Sequence, residues 1–370
     1  MKRRTFISIA GGSILAAGGI GYLISDKNNF VRSDLKISSN DKLLLTDEQE
    51  ILLLASMAPS GHNTQPWFVR RIAPFHWIIC NDRSKWLPAV DPSQRETMLS
   101  IGAFIQNITY AASYYGYCCE WKTLARGNQD EQIEEVVLSK LDDIPRFDIS
   151  KIKKRRTVRS NFQSDQLKED DLQSLTNGEE AYFHYFPRGT SAFAWLNEKT
   201  VAANQKQIYR DAAEKELANW IRFTGKDAAQ HGDGLTPASM EMTGLTAWIV
   251  RNFYNKSSVM GKNFRKQGLD AVKTQVSQSA GWLLITSKDQ TVASLLETGK
   301  RLQRLLLKIR EKGIAIHPMT QILEEAPFSL KINKAMNITT PIQLVLRCGY
   351  VNEYPDPVSI RKPVNSFVRI

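Results

Sequence analysis

The sequence contains few of the residues that hold metals or form disulfide frameworks. Its 370 residues include four cysteines and five histidines. Cys118 and Cys119 are adjacent, no Cys-x-x-Cys spacing occurs, and no two histidines have the spacing of metal ligands. We therefore expect neither a disulfide scaffold nor a metal site, and we interpret these residues as single buried or surface side chains.

Acidic residues are also in the minority, because 49 Lys and Arg stand against 38 Asp and Glu, for a formal net charge of +11. Such an excess raises the question of a nucleic-acid partner. The basic residues are spread along the whole chain, however, and no zinc-finger, homeodomain or RNA-recognition signature accompanies them. We therefore expect no nucleic-acid partner. With 42% hydrophobic and 24% charged residues, the composition is that of a globular protein with one large domain or two fused ones.

Long uncharged runs are scarce, and the most legible one is at the amino terminus. Residues 5–25 are small and aliphatic, and residues 2–4 before them read Lys-Arg-Arg. A charged start followed by an apolar segment is typical of an export signal. The paired arginines with Phe6 resemble the twin-arginine type, which a translocase recognises; an ordinary secretory signal is the alternative. Because no Ala-x-Ala site lies near Ser25, the protein is expected to be either periplasmic or anchored to the inner membrane by an uncleaved segment.

The remaining chain is predicted to form two units. We assign residues 1–27 to the signal or anchor, 28–45 to a polar linker, 46–150 to the first unit and 151–370 to the second. A capping box at Thr46 and Gln49 predicts a helix that runs to about residue 57, and apolar periodicity predicts another over residues 94–115. Alternating residues predict strands at 67–72, 76–81, 181–186, 281–286 and 342–350. Residues 190–275 form a mostly helical insertion that is either a lid over a pocket or packing bulk.

Two predicted helices share a glycine pattern. A Gly is followed by a Gln four residues later and by a second Gly ten residues after that, as Gly102-Gln106-Gly116 and as Gly299-Gln303-Gly313. A glycine that ends a helix is common, so coincidence is the alternative. A glycine inside a helix costs about 1 kcal/mol relative to alanine and implies close packing. We interpret the pattern as a duplicated unit.

Three segments carry side chains suited to a ligand. Residues 59–67 read Pro-Ser-Gly-His-Asn-Thr-Gln-Pro-Trp, a loop whose small residues expose backbone amides and whose Asn63 and Gln65 suit the edge of a planar heterocycle. Residues 153–159 read Lys-Lys-Arg-Arg-Thr-Val-Arg, and guanidinium groups beside a hydroxyl bind phosphate well. A solvated charged surface is the alternative for this run. A third basic segment, Ser-Ile-Arg-Lys-Pro, occupies residues 359–363.

The loop closely resembles the Pro-Ser-x-x-Asn-x-Gln-Pro-Trp loop of the FMN-dependent nitroreductase superfamily. Residues 155–159 resemble that family's Arg-Arg-Ser-x-Arg segment, and residues 347–350 and 361–363 are similar to its closing strand and terminal basic pair. In ordinary members, which are homodimers, the arginine segment precedes the loop. Here the loop comes first, as in the single-chain Acg-type members. The resemblance implies an α+β fold of two related halves, each with a mostly antiparallel sheet flanked by helices, fused as an intrachain pseudo-dimer and hence monomeric.

The resemblance also implies FMN as the cofactor. The implied FMN-binding residues are Ser60, Gly61, His62, Asn63, Gln65, Arg155, Arg156, Thr157, Arg159, His317, Thr320 and Arg361. Among them, Arg155 and Thr157 would hold the phosphate with help from Arg361, and Arg159 would lie at the pyrimidine edge, where positive charge stabilises reduced flavin. His62 would face either the substrate or solvent.

The implied activity is that of an oxidoreductase that transfers hydride from a reduced nicotinamide, NAD(P)H, or another donor through FMN to a nitroaromatic, quinone or similar small-molecule acceptor. The alternative is a non-catalytic protein that sequesters or stores FMN, which the Acg-type resemblance and the insertion favour. A third hypothesis, a membrane-surface protein without a cofactor, depends only on the signal and the net charge. No catalytic acid or base is predicted.

Overall fold

The structure, a computed structural model, describes residues 44–370. The predicted signal and nearly all of the predicted linker therefore lie outside the described residues. The helices are α1 Thr46–Ala55, α2 Arg95–Tyr114, α3 Ser150–Lys154, α4 Glu169–Thr176, α5 Ser191–Ile208, α6 Asp211–Trp220, α7 Gly225–His231, α8 Gly244–Phe253, α9 Lys256–Val259, α10 Lys262–Ser277, α11 Val292–Lys308, α12 Gln321–Glu324 and α13 Ile332–Met336. The strands are β1 Trp67–Ala73, β2 His76–Asn81, β3 Tyr117–Thr123, β4 Gln132–Lys140, β5 Phe183–Pro187, β6 Gly281–Thr286, β7 Ile314–Pro318, β8 Ile342–Tyr350 and β9 Val368–Arg369.

The predicted α+β class is confirmed, and the predicted bounds of β2, β6 and β8 match the observed ones. The capping box predicted at Thr46 and Gln49 is wrong. Helix α1 begins one residue after Leu45, whose backbone N–H donates to the Glu48 carboxylate at 3.0 Å. Gln49 instead donates to the carbonyl of Leu44 at 3.0 Å. The prediction was one residue too far along the chain, because Leu45 precedes the helix in place of Thr46 and Glu48 is its partner in place of Gln49.

The strands form two sheets. The first has the order β3-β4-β2-β1-β9 and the second β5-β6-β8-β7. All pairings are antiparallel except that of β1 with β9, in which Val69 and Arg70 lie opposite Val368 and Arg369. Strand β9 therefore completes the sheet formed by β1 to β4, which ties the carboxyl terminus to the first unit.

Helices α2 and α11 cross at the two glycines that the sequence pattern matched. A Cβ at Gly102 would overlap the carbonyl oxygen of Leu296 and lie 3.0 Å from the Cα of Gly299. A Cβ at Gly299 would overlap the carbonyl oxygen of Leu99 and lie 3.0 Å from the Cα of Gly102. A contact in which each partner meets the same surface of the other is the signature of a two-fold interface. The two helices thus pack as the related halves of an intrachain pseudo-dimer.

The largest hydrophobic core surrounds this crossing and draws residues from both sheets, among them Trp67, Phe104, Leu305 and Leu346. A second core lies on the other face of the second sheet, around Trp282. The insertion has a small core of its own, built around Ile221, Phe223 and Val250. The insertion is therefore a folded layer that can cover a site without sharing the central core.

A buried carboxylate joins α1 to the first hairpin. The Glu48 carboxylate, fully buried, accepts hydrogen bonds from Arg71, from the backbone of Leu45 and Phe75, and from the Trp77 indole. Burial alone would raise the pKa of Glu48, but these hydrogen bonds, led by that of Arg71, together lower it.

Replacement Glu48→Gln should lower the free energy of unfolding by about 2–4 kcal/mol at pH 7, because the new amide group must face donors that the carboxylate satisfied. Since folding lowers this pKa, the stabilisation is present above the ordinary glutamate pKa and is lost as pH falls through the lowered one. Urea unfolding of both proteins at pH 7 and pH 3 measures this. A difference that is as large at pH 3 as at pH 7 would contradict the assignment.

No helix within residues 44–370 combines the length and the apolar character that a membrane crossing needs. In that same part of the chain, no group of three or more His, Cys, Asp or Glu side chains is arranged to hold a metal ion. The four cysteines are free thiols.

Candidate functional site

A cavity of about 310 Å³ lies beside the crossing of α2 and α11. The predicted ligand residues that line it are Ser60, Gly61, His62, Asn63, Arg155, Thr157, Arg159, His317, Thr320 and Arg361. They come from four separated parts of the chain, and the structure brings them to one space. Gln65 and Arg156 are the predicted residues that do not line it.

Buried positive charge defines one end of this cavity. Arg155 and Arg361 are only 8% and 7% exposed, and both guanidinium groups donate to the carbonyl oxygen of Met57, from Nε at 3.4 Å and from an NH2 group at 3.1 Å. Arg155 also donates to the hydroxyl of Thr157 at 3.3 Å. Two guanidinium groups and a hydroxyl that line one cavity are donors suited to a phosphate.

The loop at residues 59–67, which lines the same cavity, has a strained backbone. His62, Asn63 and Gln65 have φ angles of 47°, 54° and 52°, in the left-handed region that residues other than glycine seldom adopt. Such conformations cost about 1–3 kcal/mol each and persist only where the surroundings enforce them. The Asn63 side chain enforces this one by donating to the carbonyls of Gly234 at 3.0 Å and Ile360 at 3.1 Å.

Gln65 secures the same loop from behind instead of facing the cavity. Its side-chain amide donates to the carbonyl of Gly232 at 2.9 Å, and its carbonyl oxygen accepts from the backbone N–H of Lys362 at 3.1 Å. The loop is therefore clamped between the insertion and the carboxyl-terminal segment. Glycine is required in the clamp, because Gly234 has a φ of 87° and a Cβ there would overlap the carbonyl of Trp220.

Arg156 points away from the cavity that Arg155 lines. Its guanidinium donates to the carbonyl oxygen of Asp356 at 2.5 Å and lies 3.6 Å from the Glu241 carboxylate. The two adjacent arginines thus face different surroundings, because consecutive residues of an extended segment project to opposite sides. The sequence alone did not show this alternation, because it depends on the extended backbone at Arg155, which has φ −61° and ψ 131°.

Arg159 provides a third guanidinium group near the histidines. It donates to the carbonyl of Ser239 at 2.7 Å, and its backbone N–H donates to the Glu241 carboxylate at 2.9 Å. Burial lowers the pKa of Arg159, the Glu241 carboxylate opposes this, and an arginine side chain keeps its charge in proteins. The group therefore projects a fixed positive charge into the cavity.

Arg347 holds this corner in place and was not predicted as a site residue. It is fully buried in β8, lies 4.0 Å from the centre of the Phe162 ring and donates to the carbonyl of Arg159. Its Nε lies 3.4 Å from Nδ1 of His317. The sequence did contain a signal for this residue, because Arg347 is a charged residue inside the apolar run of a predicted strand. A charge buried in this way needs a partner.

Both histidines at the cavity are neutral at pH 7. Burial lowers the pKa of His62 to about 4, which the nearby Glu96 partly opposes and Arg159 reinforces. Burial lowers the pKa of His317 well below its usual value, and the positive charges of Arg159 and Arg347 lower it further. His62 lines the cavity, and its position on the substrate side stays a prediction.

A pair of carboxyl groups, which the sequence reasoning did not assign, lines the opposite wall. Glu324 accepts hydrogen bonds from Thr320 at 3.0 Å and from the Gln207 side chain at 2.5 Å. Burial raises the pKa of Glu324 well above its usual value, and the neighbouring Glu96 raises it further. Burial beside a second carboxyl group thus favours the protonated form of Glu324. No local pattern marks it, because α12 reaches Glu96 only through the tertiary packing.

A second chamber of about 290 Å³ adjoins the first and shares His62, Arg159 and His317 with it. Its remaining walls come largely from α6 and α10 of the insertion. The insertion therefore covers the space beside His62 and His317.

No family model matches the chain. A protein of Serratia sp. that carries the name NAD(P)H nitroreductase PigM is 23% identical over 314 residues, which cover 79% of this chain and 84% of that protein. A Mycobacterium tuberculosis protein that carries the name NAD(P)H nitroreductase acg is 24% identical over 341 residues, covering 89% of this chain and 98% of that protein.

Two solved structures show a weaker likeness. The FMN-dependent nitroreductase NfnB of Mycobacterium smegmatis, in complex with NADPH, has a TM-score of 0.36 and 16% identity, covering 60% of this chain and 96% of that one. The FMN- and NADPH-dependent NfnB of Sphigopyxis sp. has a TM-score of 0.38 and 11% identity, covering 60% and 97%. These scores are too low to establish a shared fold by themselves.

Proposed function

We propose that the protein is an FMN-binding oxidoreductase of the nitroreductase type. The observation that carries the proposal is the meeting of Arg155, Arg361 and the strained loop 59–67 around one cavity, although they are far apart in sequence. The two relatives that carry nitroreductase names over most of this chain support it.

The residues present fit an FMN molecule in chemistry and arrangement. Arg155, Thr157 and Arg361 would hold the phosphate. The cavity also contains Leu87, Leu99, Leu302 and Leu344, which are available to contact a ring system, beside polar side chains such as Ser100 and Gln207. Arg159 lines the same cavity, where its charge would stabilise a reduced ring.

FMN, when bound, supplies the hydride-transfer chemistry. The chain supplies the surroundings in which that chemistry takes place. The neutral rings of His62 and His317 border the acceptor side without adding charge, and burial beside Glu96 favours the protonated form of the Glu324 carboxyl group in the same cavity. The insertion excludes water by covering the chamber in front of them.

A second function, FMN sequestration without turnover, is favoured by one observation. The insertion is clamped to the cavity loop through Gly232 and Gly234, and helices α6 and α10 cover the adjoining chamber. A cover held in this way would restrict the access of a nicotinamide donor.

The experiment that separates these functions is a visible spectrum of the purified protein, recorded before and after anaerobic addition of NADPH. The reductase proposal expects a yellow protein with flavin absorbance that bleaches within one turnover. A yellow protein that stays oxidised would establish sequestration. A colourless protein that also fails to take up added FMN would contradict both.

We also propose, from residues 2–25, that the protein is exported by the twin-arginine translocase to the periplasm or to an inner-membrane anchor. From the reciprocal packing of Gly102 and Gly299, we propose that it is a monomer with an internal pseudo-two-fold axis. Fractionation of cells that express the intact chain and an Arg3→Lys, Arg4→Lys variant tests the export route.

A further inference from the structure

The chamber under the insertion contains a carboxyl group without a partner. Glu214, on α6, is 3% exposed and lines the chamber. Within residues 44–370 its carboxylate makes no hydrogen bond and no ion pair, whereas the neighbouring Glu216 accepts two backbone hydrogen bonds. Buried carboxyl groups are normally paired or hydrogen-bonded, because an unpaired one is costly. The lack of a partner for the Glu214 carboxylate therefore needs an explanation.

A neighbouring arginine is paired with a different carboxylate. Arg265, on α10, lines the same chamber and donates from an NH2 group to the Asp211 carboxylate at 2.7 Å, a distance typical of a charge-assisted hydrogen bond, while its Nε has no hydrogen-bond partner within residues 44–370. Burial raises the pKa of Glu214 to about 7, and the positive charge of Arg265 opposes this. Glu214 is thus poised to ionise when a cation enters the chamber.

Much of the remaining wall is apolar. It includes Ile208, Leu217, Met240, Phe264 and Val272, beside polar side chains such as Asn204 and Gln275. Thioether and aromatic side chains of this kind pack well against aromatic rings. The chamber also includes His62, Arg159 and His317, which it shares with the proposed FMN cavity. A ligand that fills the chamber would therefore have an apolar body between the histidines and one cationic group at Glu214.

We propose that this chamber binds the electron acceptor of the protein, and that the acceptor is a reducible aromatic compound, such as a nitroaromatic, that carries an aliphatic ammonium group which pairs with Glu214. The proposal rests on the proposed function, since it takes the ligand as the molecule that is reduced. Its binding step is independent of reduction and is measured separately.

The test compares two probes of nearly equal size, 4-nitrobenzylamine and 4-nitrotoluene, by titration calorimetry with the purified full chain at pH 8. We expect the amine to bind at least about tenfold more tightly. Glu214→Gln should abolish this preference, because the amide keeps the shape but carries no charge. The matched control is Asp270→Asn, which removes an exposed carboxylate of α10 that pairs with Lys266, and it should keep the preference.

The pH dependence provides a readout that a structural role would not produce. Because Glu214 must be ionised, affinity for the amine should fall about tenfold from pH 8 to pH 6 in the unaltered chain and stay constant in the Glu214→Gln variant. Equal affinities for both probes, a preference that survives Glu214→Gln, or no binding of either probe at millimolar concentration would each overturn the proposal. FMN content and NADPH bleaching recorded on the same preparation show whether the proposed function fails independently.

Discussion

Replacement of Gly102 or of Gly299 by alanine will destabilise the protein by about 3 kcal/mol or more, beyond the usual range for overpacking a core. In each case the new methyl group overlaps a backbone carbonyl oxygen of the opposite helix. Backbone cannot rotate out of the way as a side chain can, so the helices must separate. That separation opens the core that both sheets share. The measurement is urea unfolding followed by circular dichroism.

Gly268→Ala is the matched control, because Gly268 also lies inside a helix, α10. A Cβ there meets only the flexible side chain of Ile208, at 3.8 Å. Alanine has the higher helix propensity, so this variant should be unchanged or up to about 1 kcal/mol more stable. If Gly102→Ala or Gly299→Ala unfolds at the same urea concentration as Gly268→Ala, the helices are not packed at their glycines.

The second large effect is on flavin affinity. The Arg155→Ala variant should bind FMN about 100-fold more weakly, and the double variant with Arg361→Ala more weakly still, because each guanidinium makes a charge-assisted hydrogen bond worth about 1.5–3 kcal/mol. Quenching of FMN fluorescence on binding measures the dissociation constants. The far-ultraviolet circular dichroism of the Arg155→Ala variant should be unchanged.

Arg156→Ala is the control for this experiment, since Arg156 follows Arg155 directly and carries the same charge. Its guanidinium is turned toward Asp356 and Glu241. We expect its FMN affinity to stay within about threefold of that of the unaltered chain, because its charge is paired outside the cavity. Equal losses from Arg155→Ala and Arg156→Ala would show that general positive charge, and not a defined phosphate site, attracts the flavin.

The glycine variants and the arginine variants test two different features of the structure. The glycine crossing sets how the two units are joined, and the arginines set what the junction can bind. Both Arg155 and Arg361 reach the carbonyl of Met57, immediately after α1, so the phosphate end of the cavity is formed where three chain segments converge. A change at the crossing should therefore also weaken FMN binding, while a change at the arginines should leave the crossing intact.

Local chemistry explains which parts of the site could be predicted. The loop at residues 59–67 and the run at 153–159 stand out because their residue types suit a heterocycle and a phosphate wherever the chain places them. Glu324 and Glu214 do not stand out, since a glutamate on a helix is ordinary until packing buries it. Gln65 was predicted beside Asn63 on residue type, but the backbone turns between them and sends their side chains to different partners.

By itself, the sequence predicted five of the nine strands within residues 44–370 and the relationship between the two crossing helices, and it did not predict β3, β4, β7 or β9. Alternation and helical periodicity report burial over a few residues, and the repeated Gly-Gln-Gly spacing marked both helices of the crossing before any contact was known. Only the tertiary structure decided that β9 returns to the first sheet, that Glu96 and Glu324 share a wall, and that the insertion leaves Glu214 without a partner. The reason is physical: a residue's local pattern depends on its neighbours along the chain, whereas its pKa and its ligands depend on groups that packing brings from hundreds of residues away.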